Sequence, residues 1–287
     1  MSSFKTFKAK VVTAAALAAS ATLALSGCAT GNDDAGDKIR IGIKYDQPGL
    51  GYQDGKDYTG FDTEVARYVA KELGYNEDQI EWVESPSANR ENMLSNGQVD
   101  MIFATYSITN TRLKSVDFAG PYFVAGQDLL VQKDNNDIHG PEQLNGKDLC
   151  SVTGSTSAKK IQDKFASDVQ LVQQNSYSDC VVALNAGMVD AVTTDDIILA
   201  GLGSTKANQG QLKLVGNTFT TERYGVGLPK GSDKCGKINA AINKMVETGE
   251  WEKALDKSVG ESGFKYNQKL NPPKLDNSCS KPTQDSK

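Results

Sequence analysis

A short pattern of residues occurs twice in this chain, 90 positions apart, and it constrains the fold more than any other feature of the sequence. Each copy contains leucine, glycine, valine and aspartate at the same spacing: Leu94, Gly97, Val99 and Asp100, and then Leu184, Gly187, Val189 and Asp190. A unit that recurs in this way indicates that the chain folds into two similar lobes. The same offset aligns Thr105 with Asp195, so each lobe would place a polar side chain at the same structural position.

The first copy of the pattern continues into an apolar run that ends abruptly in polar residues. Thr105, Ser107, Thr109 and Arg112 follow this run closely. In α/β sheets, ligands bind outside the carboxyl ends of the strands. The sequence therefore predicts a small ligand held between two facing lobes.

Strand-like and helix-like patterns alternate along most of the chain. The predicted strands are 39–43, 80–83, 99–104, 148–152, 169–172 and 190–193, and the predicted helices are 62–73, 89–96, 157–165 and 177–186. Alternation of this kind is typical of α/β folds in which parallel sheets are covered by helices. Two further extended stretches, 127–132 and 224–228, lie where the chain would cross between the lobes, and they are the predicted hinge.

The amino terminus has the pattern of a bacterial lipoprotein signal peptide. Three lysines precede an uncharged, Ala-rich run at 11–25, which is short for a membrane span. The run ends in Leu-Ser-Gly-Cys, which resembles the lipobox, so residues 1–27 would be removed and Cys28 would carry a lipid anchor. Residues 28–37 are then predicted to form a flexible tether. The alternative is a soluble secreted protein or a buried Cys28, but it leaves the four-residue ending unexplained.

Charge and cysteine content limit the remaining possibilities. Removing the signal peptide, which carries three Lys and no acidic residue, changes the formal net charge from −5 to −8. That sign disfavours nucleic-acid binding. Four further cysteines lie in a compartment where disulfides persist, and they allow three pairings: Cys150, Cys180, Cys235 and Cys279. No CxxC spacing supports the alternative of a four-cysteine metal site, and no metal or cofactor is predicted.

Four motifs lie close together in the first half of the chain, between residues 60 and 122. They are Gly60-Phe61-Asp62, Asn96-Gly97-Gln98-Val99-Asp100, Ser107-Ile108-Thr109-Asn110-Thr111-Arg112 and Val116-Asp117-Phe118-Ala119-Gly120-Pro121-Tyr122. Together they resemble the polar amino-acid binding proteins of ABC importers, the bacterial extracellular solute-binding proteins of family 3. The resemblance runs from residue 38 to residue 260. More narrowly, three segments resemble the glutamate-binding lipoproteins of actinobacterial uptake systems: KYDQPGLG from Lys44, ESPSANRENMLSNGQVDMIFATYSI from Glu84 and CSVTGST from Cys150.

The resemblance implies a periplasmic-binding-protein-like α/β fold, in which two doubly wound lobes joined by a two-strand hinge close on one L-amino acid. Lobe one would contain residues 38–124 and 224–287, and lobe two would contain residues 128–221. Each disulfide is then expected to lie within one lobe, which favours two pairs: Cys150 with Cys180, and Cys235 with Cys279.

The resemblance also implies which groups bind the backbone of the amino acid. A guanidinium presents two parallel donors that match a planar carboxylate, so Arg112 would bind the α-carboxylate with help from the Ser107 hydroxyl. Thr105 and Asp195 would accept hydrogen bonds from the α-ammonium. Thr156 would contribute its main-chain amide, and its hydroxyl, at the start of a helix.

Alternatives to these roles stay open at the level of sequence. Asp196 is adjacent to Asp195 and could replace it as the acceptor, and either carboxylate could instead cap the helix that follows. Arg112 could be a solvated helix residue. Thr109 is predicted to cap the short helix that carries Arg112, and Thr156 could belong to an ordinary N-terminal cap.

Two cations would decide which amino acid is bound. Lys44 ends the first strand, and Arg90 lies where acidic amino-acid binders carry an arginine. A buried carboxylate needs charged partners, so both are predicted to bind the side chain of the ligand, with exposure on the rim as the alternative. Tyr45 would stack over the aliphatic stem, whereas Tyr106 is predicted to point away from Thr105 and to serve packing. The predicted ligand is glutamate, followed by aspartate and then glutamine.

The predicted function is that of a monomeric lipoprotein on the extracellular face of the membrane, which captures glutamate and delivers it to the permease subunits of an ABC importer. One alternative is a sensing lipoprotein that signals to a membrane partner, and another is a fold-related enzyme such as a dehydratase. An enzyme is not predicted, because the single histidine, His139, lies in a polar turn without a nucleophile signature. No catalytic residue is assigned, and Glu222 is the acid that an enzymatic alternative would need.

Overall fold

Strands and helices alternate through the computed structural model, which describes residues 38–275 and residue 279. The strands are β1 (Ile39–Ile43), β2 (Tyr52–Asp54), β3 (Asp57–Thr59), β4 (Ile80–Glu84), β5 (Met101–Ile102), β6 (Val116–Ala125), β7 (Gln127–Gln132), β8 (Asp148–Val152), β9 (Gln170–Gln174), β10 (Ala191–Asp195), β11 (Leu212–Leu214) and β12 (Glu222–Pro229). The helices are α1 (Phe61–Glu72), α2 (Arg90–Ser95), α3 (Ser157–Lys164), α4 (Tyr177–Asn185), α5 (Asp196–Ser204), α6 (Cys235–Glu247) and α7 (Glu250–Val259). None of these helices is both long enough and apolar enough to cross a membrane. The predicted signal peptide 1–27, the tether 28–37 and the lipidation site Cys28 lie outside the described residues.

The strands form two five-stranded mixed sheets and one small hairpin of β2 and β3. In the first sheet the order is β4-β1-β5-β12-β6, with β1 parallel to β4 and β5, and β12 antiparallel to β5 and β6. In the second sheet the order is β11-β7-β10-β8-β9, with β8 parallel to β9 and β10, and β7 antiparallel to β10 and β11. We refer to the chain around the first sheet as lobe one and to the chain around the second sheet as lobe two. Both sheets are mixed, whereas the sequence predicted parallel sheets.

The chain passes between the two sheets at Gly126 and again through residues 215–221. The stretches predicted as the hinge, 127–132 and 224–228, lie within β7 and β12, so each belongs to one sheet and the crossings lie beside them. The two crossings are close together. A Cβ added at Gly126 would lie 2.5 Å from Cβ of Thr218, so the close approach requires glycine at this position.

The repeated residues perform the same structural task in both lobes. Asp100 accepts a hydrogen bond from the main-chain N–H of Arg40 in β1 (2.8 Å), and Asp190 accepts one from the N–H of Asp148 in β8 (2.9 Å). The repeated leucines and valines are buried. Both glycines of the pattern have a positive φ, 65° and 68°, just after α2 and α4 respectively, which is a common way to end a helix. The repeat therefore reflects one helix-turn-strand unit that was used twice.

The helix predicted over residues 62–73 forms α1, displaced by one residue at each end, and it has an apolar stripe. Its members Val65, Ala66, Val69 and Ala70 are buried, as expected for the core-facing side of an amphipathic helix. The strand predicted at 99–104 is shorter than expected, because β5 contains only two residues and the chain then leaves the sheet.

An aromatic cluster packs the C-terminal helices onto lobe one. Phe61 of α1, Phe123 of β6 and Trp251 of α7 lie 5.5–6.1 Å apart between ring centroids. The indole Nε1 of Trp251 also donates a hydrogen bond to the carbonyl oxygen of Tyr122 (2.8 Å). A buried aromatic ring needs such a partner for its polar atom. The returning C-terminal part of the chain is thereby packed against the first sheet.

Two disulfides join elements within the lobes. Cys150 of β8 is bonded to Cys180 of α4, and Cys235 at the start of α6 is bonded to Cys279. The first bond closes a sequence separation of 30 residues. A disulfide that closes a loop of this length stabilises the folded state by roughly 3–4 kcal/mol, because it lowers the entropy of the unfolded chain. It attaches α4, whose first turn reaches the cleft described below, to the centre of the second sheet.

Candidate ligand-binding cleft

A small polar cleft lies between the two lobes, at the carboxyl ends of β5 and β10. Six residues that the sequence predicted as ligand-binding line it: Arg90, Thr105, Ser107, Arg112, Thr156 and Asp195. Six further residues on its wall were not predicted as ligand-binding: Ser87, Ser155, Ser157, Tyr177, Thr194 and Ile198. Three of these residues, Ser155, Ser157 and Thr194, are adjacent to predicted site residues, and Tyr177 begins a predicted helix, so their positions in the sequence carry a weak signal.

Arg112 lies at the cleft with its guanidinium already oriented by main-chain and carboxylate oxygens. Nη1 donates to the carbonyl oxygen of Ser107 (2.8 Å), and Nη2 donates to the carbonyl oxygen of Gly154 in lobe two (3.1 Å). Nε lies 3.2 Å from the carboxylate of Glu91. The main-chain N–H of Arg112 donates to the hydroxyl of Thr109 (3.2 Å), which is the local capping contact expected from the sequence.

Arg90 is a second buried cation on the same wall, with 3 % of its surface exposed. Nη1 donates to the carbonyl oxygen of Ala104 (2.8 Å), while Nε has no hydrogen-bond partner among the residues that the structure describes. Burial and the nearby charge of Arg112 lower the pKa of Arg90 to about 10, so it remains protonated at neutral pH. A buried donor without a partner is costly, and it is a natural place for an anionic ligand group.

Asp195 is the buried carboxylate on the opposite wall. Its Oδ2 accepts a hydrogen bond from the hydroxyl of Tyr224 (2.6 Å). Burial and the neighbouring carboxylate of Glu222 raise the pKa of Asp195 to about 8. A cationic ligand group placed beside Asp195 would favour its ionised form.

The alternative acceptor, Asp196, has a different task. Its Oδ1 accepts hydrogen bonds from the main-chain N–H groups of Ile197 (2.8 Å) and Gly126 (3.3 Å). It therefore holds the start of α5 against the crossing between the sheets. Asp195 lines the cleft, and Asp196 is not among its lining residues.

Thr105 adopts a backbone conformation that is unusual for threonine, with a φ of 45°. Its main-chain N–H donates to Oδ2 of Asp62 (2.9 Å), and Oδ1 of Asp62 accepts a hydrogen bond from the hydroxyl of Tyr122 (2.8 Å). Burial raises the pKa of Asp62 to about 6, although both hydrogen bonds oppose the rise. Asp62 of the Gly-Phe-Asp motif thus anchors the strand end that points into the cleft, a task that the motif alone did not reveal.

The start of α3 brings hydroxyl groups and main-chain amides to the lobe-two wall. The hydroxyl of Tyr177 donates to Oγ of Ser155 (2.9 Å), and the main-chain N–H of Ser157 donates to the same oxygen (3.2 Å). Thr156 lies between these two serines and is the residue just before α3. The amide groups at a helix start attract anions.

Two predicted site residues do not line the cleft. Lys44 is buried with its Nζ 3.5 Å from the carboxylate of Asp46, and burial lowers its pKa. Tyr45 donates its hydroxyl to the carbonyl oxygen of Trp82 (2.9 Å) and packs against Tyr58, with ring centroids 5.1 Å apart. Tyr45 has a φ of 68°, so the chain turns sharply after β1 and directs these side chains into other contacts. The ligand contacts of Lys44 and Tyr45 stay predictions, and in this structure both side chains have partners within lobe one.

Glu222 is the acid that an enzymatic alternative would require, and its carboxylate already has two polar partners. Its carboxylate is paired with Lys160 of α3 and accepts a hydrogen bond from the hydroxyl of Thr220 (2.7 Å). This pair connects the first residue of β12 to lobe two. Its position supports a structural task at the crossing between the lobes.

The lobes are in close contact around the cleft. Asp46 of lobe one accepts a hydrogen bond from the main-chain N–H of Tyr177 in lobe two (3.0 Å), and its own carbonyl oxygen accepts one from Ser178 (3.2 Å). A Cβ added at Gly154 would lie 2.5 Å from Cα of Ala88 across the cleft. In this structure the two lobes therefore touch each other across the cleft.

Two α/β lobes connected by two crossings, with a polar cleft between them, define a periplasmic-binding-protein fold. The chain belongs to the bacterial extracellular solute-binding proteins, family 3, which match residues 39–261. It is similar to the glutamate-binding protein GluB of Corynebacterium efficiens, with 41% identity over 266 residues that cover 87% of this chain and 90% of that protein. It is also similar to the ABC transporter glutamine-binding protein GlnH of Bacillus subtilis, with 37% identity over 229 residues that cover 78% of this chain and 82% of that protein. Among solved structures, an ancestral arginine-binding protein bound to glutamine is 34% identical with a TM-score of 0.71, covering 78% of this chain and 98% of that one.

Proposed function

We propose that this protein is the extracellular substrate-binding component of an ABC importer and that it captures an acidic L-amino acid, with glutamate preferred. The observation that carries the proposal is the presence of two buried arginines, Arg90 and Arg112, on one wall of the cleft and a buried carboxylate, Asp195, on the other. An amino acid with two carboxylates and one ammonium matches this set of charges. The similarity to a glutamate-binding protein and a glutamine-binding protein supports the same ligand class.

Each ionic group of the ligand has an assigned partner in the proposal. The α-carboxylate binds to Arg112, to the Ser107 hydroxyl and to the amide of Thr156, all of which line the cleft. The α-ammonium donates to Asp195 and to the oxygen of Thr105. These contacts replace water around the charged groups of the ligand, and closure of the lobes strengthens them by excluding solvent.

Arg90 is the proposed partner of the side-chain carboxylate. Its unpartnered Nε is a donor that a glutamate carboxylate satisfies with a charged acceptor. Glutamine offers only a neutral oxygen at this place, so it leaves the buried cation without a counter-charge. Aspartate has the charge but a shorter side chain, which places it second.

The lipid anchor, the location and the transport partner are parts of the same proposal. Leu25-Ser26-Gly27-Cys28 supports lipidation of Cys28 and attachment to the extracellular face of the membrane. The family to which the chain belongs is extracellular. The bound amino acid is then passed to the permease subunits of the importer, and the protein acts as a binding protein without catalytic residues.

Isothermal titration tests the proposal. The protein is unfolded and refolded to remove co-purified ligand, and it is then titrated with glutamate, aspartate, glutamine and asparagine. The expected result is one-to-one binding with glutamate as the tightest ligand. A sample that is folded by circular dichroism and binds none of the four amino acids would overturn the proposal, and tightest binding of glutamine would overturn the assignment of Arg90.

A further inference from the structure

The ring of Tyr106 lies against both cleft arginines. Cζ of Arg90 is 4.1 Å from the ring centroid, and Cζ of Arg112 is 4.8 Å from it. The face of an aromatic ring carries negative potential, so guanidinium groups at this distance are attracted to it. Tyr106 itself is fully buried and does not line the cleft. Any effect of this ring on a ligand therefore passes through the two arginines.

Other parts of lobe one also pack against the ring. It packs edge to face with Phe118, with centroids 4.7 Å apart. Gly227 of β12 lies directly against it, because a Cβ at that position would be 2.7 Å from Cε1 of Tyr106. Both β6 and β12 thus lie against the ring and limit its movement. It is therefore a rigid surface for the two guanidinium groups.

The arginines are also held by the main chain on either side of the tyrosine. Arg90 donates to the carbonyl oxygen of Ala104 and Arg112 donates to that of Ser107, the residues that flank Thr105 and Tyr106. The nearby carboxylate of Glu91 pairs with Arg112. Two buried cations repel each other, and one carboxylate does not neutralise both. The ring face adds a favourable interaction for each of the two guanidinium groups.

We propose that Tyr106 is a positioning residue that holds Arg90 and Arg112 at the separation required by the two carboxylates of a dicarboxylic amino acid. This inference rests on the proposed function, and it extends that function to a residue that strand alternation had assigned to packing. An aliphatic side chain at position 106 fills the same space without attracting either guanidinium. Tyr106 is thus a determinant of selectivity that makes no contact with the ligand.

The test compares Tyr106→Phe with Tyr106→Leu by titration with glutamate and glutamine. Phenylalanine keeps the ring face, so Tyr106→Phe is expected to bind glutamate within about twofold of the unchanged protein. Tyr106→Leu is expected to lose about tenfold or more in glutamate affinity and clearly less in glutamine affinity. The ratio of the two affinities is the readout, because a general loss of stability would not change it in this direction.

A matched control separates positioning from the loss of a core ring. Phe165→Leu removes a ring that packs edge to face with Phe219 in lobe two, away from the arginines. It is expected to lower the melting temperature without changing the ratio of glutamate to glutamine affinity. If Tyr106→Leu behaves like Phe165→Leu, the inference is overturned.

A second measurement remains available if Tyr106→Leu folds poorly. Tyr106→Met is combined with Arg90→Met. The loss of glutamate affinity that Tyr106→Met causes is then measured in the protein that keeps Arg90 and in the Arg90→Met variant. The inference requires a smaller loss when Arg90 is absent, and equal losses in both backgrounds would overturn it. Absence of glutamate binding by the unchanged protein would instead overturn the proposed function, so the two failures are distinguishable.

Discussion

Arg112 of lobe one donates a hydrogen bond from Nη2 to the carbonyl oxygen of Gly154 in lobe two, at 3.1 Å. The residue that is proposed to bind the α-carboxylate therefore also contacts the opposite lobe. Ligand capture and lobe closure share this side chain. A ligand carboxylate that draws the guanidinium into the cleft acts on a group that already joins the two lobes.

Replacing Arg112 with lysine should reduce glutamate affinity almost as much as replacing it with alanine. Lysine keeps the positive charge but cannot present two parallel donors to a carboxylate and donate to the carbonyl of Gly154 at the same time. Truncating one partner of a buried charge pair costs about 2–5 kcal/mol of binding free energy. Isothermal titration of both variants checks this, with thermal melts to establish folding. Micromolar binding by Arg112→Ala would contradict the role of Arg112.

Replacing Arg90 with methionine should weaken glutamate binding far more than glutamine binding. Methionine fills a similar volume, so the buried wall is retained while the cation is lost. Glutamate would then have to bury its side-chain carboxylate without the proposed partner, whereas the neutral amide of glutamine would lose less. Titration of the variant and of the unchanged protein with both amino acids gives the ratio of glutamate to glutamine affinity. Equal losses for the two ligands would remove Arg90 from the selectivity site.

The repeat and the strand ends could be predicted from sequence because they depend on local patterns. Leu94, Gly97 and Asp100 form a helix-turn-strand unit whose residues act within a short stretch of chain or on the adjacent strand. The polar strand ends Thr105 and Asp195 follow from the same unit. Their location beside the cleft therefore required only the repeat offset and the general tendency of ligands to bind at strand ends.

The position of Lys44 could not be predicted in the same way. The turn after β1 is fixed by Asp46, which pairs with Lys44 and accepts a hydrogen bond from Tyr177, 131 positions later in the other lobe. No local pattern encodes that partner. The case of Tyr106 is similar, because Arg90 and Arg112 reach its ring from different elements. Strand alternation indicated that Tyr106 points away from Thr105, but it did not indicate what lies on the other side.

Below about pH 8, the free protein should become less stable as the pH rises, and Asp195 should account for part of the change. Its pKa is raised to about 8 in the folded state, above its value of 3.8 when exposed, so the folded state retains a proton that the unfolded state releases. Stability then falls by up to about 1.4 kcal/mol per pH unit between the two values. The groups facing this carboxyl are Glu222 and Tyr224 of β12 and Lys160 of α3, beside the adjacent Asp196.

Denaturant unfolding of the unchanged protein and of Asp195→Asn, from pH 5 to pH 8, measures this contribution. The asparagine variant cannot titrate, so its advantage in free energy of unfolding should grow as the pH rises. Ligand binding should release the proton from Asp195, because the α-ammonium of the ligand favours the ionised carboxylate. Near pH 6.5, titration in two buffers of different ionisation enthalpy should report release of about one proton per bound glutamate. If the difference in free energy of unfolding between the two proteins stayed constant with pH, and no proton were released on binding, the raised pKa of Asp195 would be contradicted.

Gly154→Ala should open the cleft, and Gly146→Ala should not. Both glycines lie in lobe two with a positive φ, 81° and 71°, so an alanine carries a similar backbone strain at either position. Only at Gly154 would the new Cβ meet the other lobe, 2.5 Å from Cα of Ala88, while nothing lies within 4 Å at Gly146. Gly154→Ala is expected to increase the radius of gyration measured by small-angle X-ray scattering with saturating glutamate. It should also weaken glutamate binding by about tenfold or more, because the clash disfavours closure of the lobes around the ligand. Equal scattering and equal affinity for the two variants would mean that the approach of Gly154 to Ala88 is not part of the ligand-bound state.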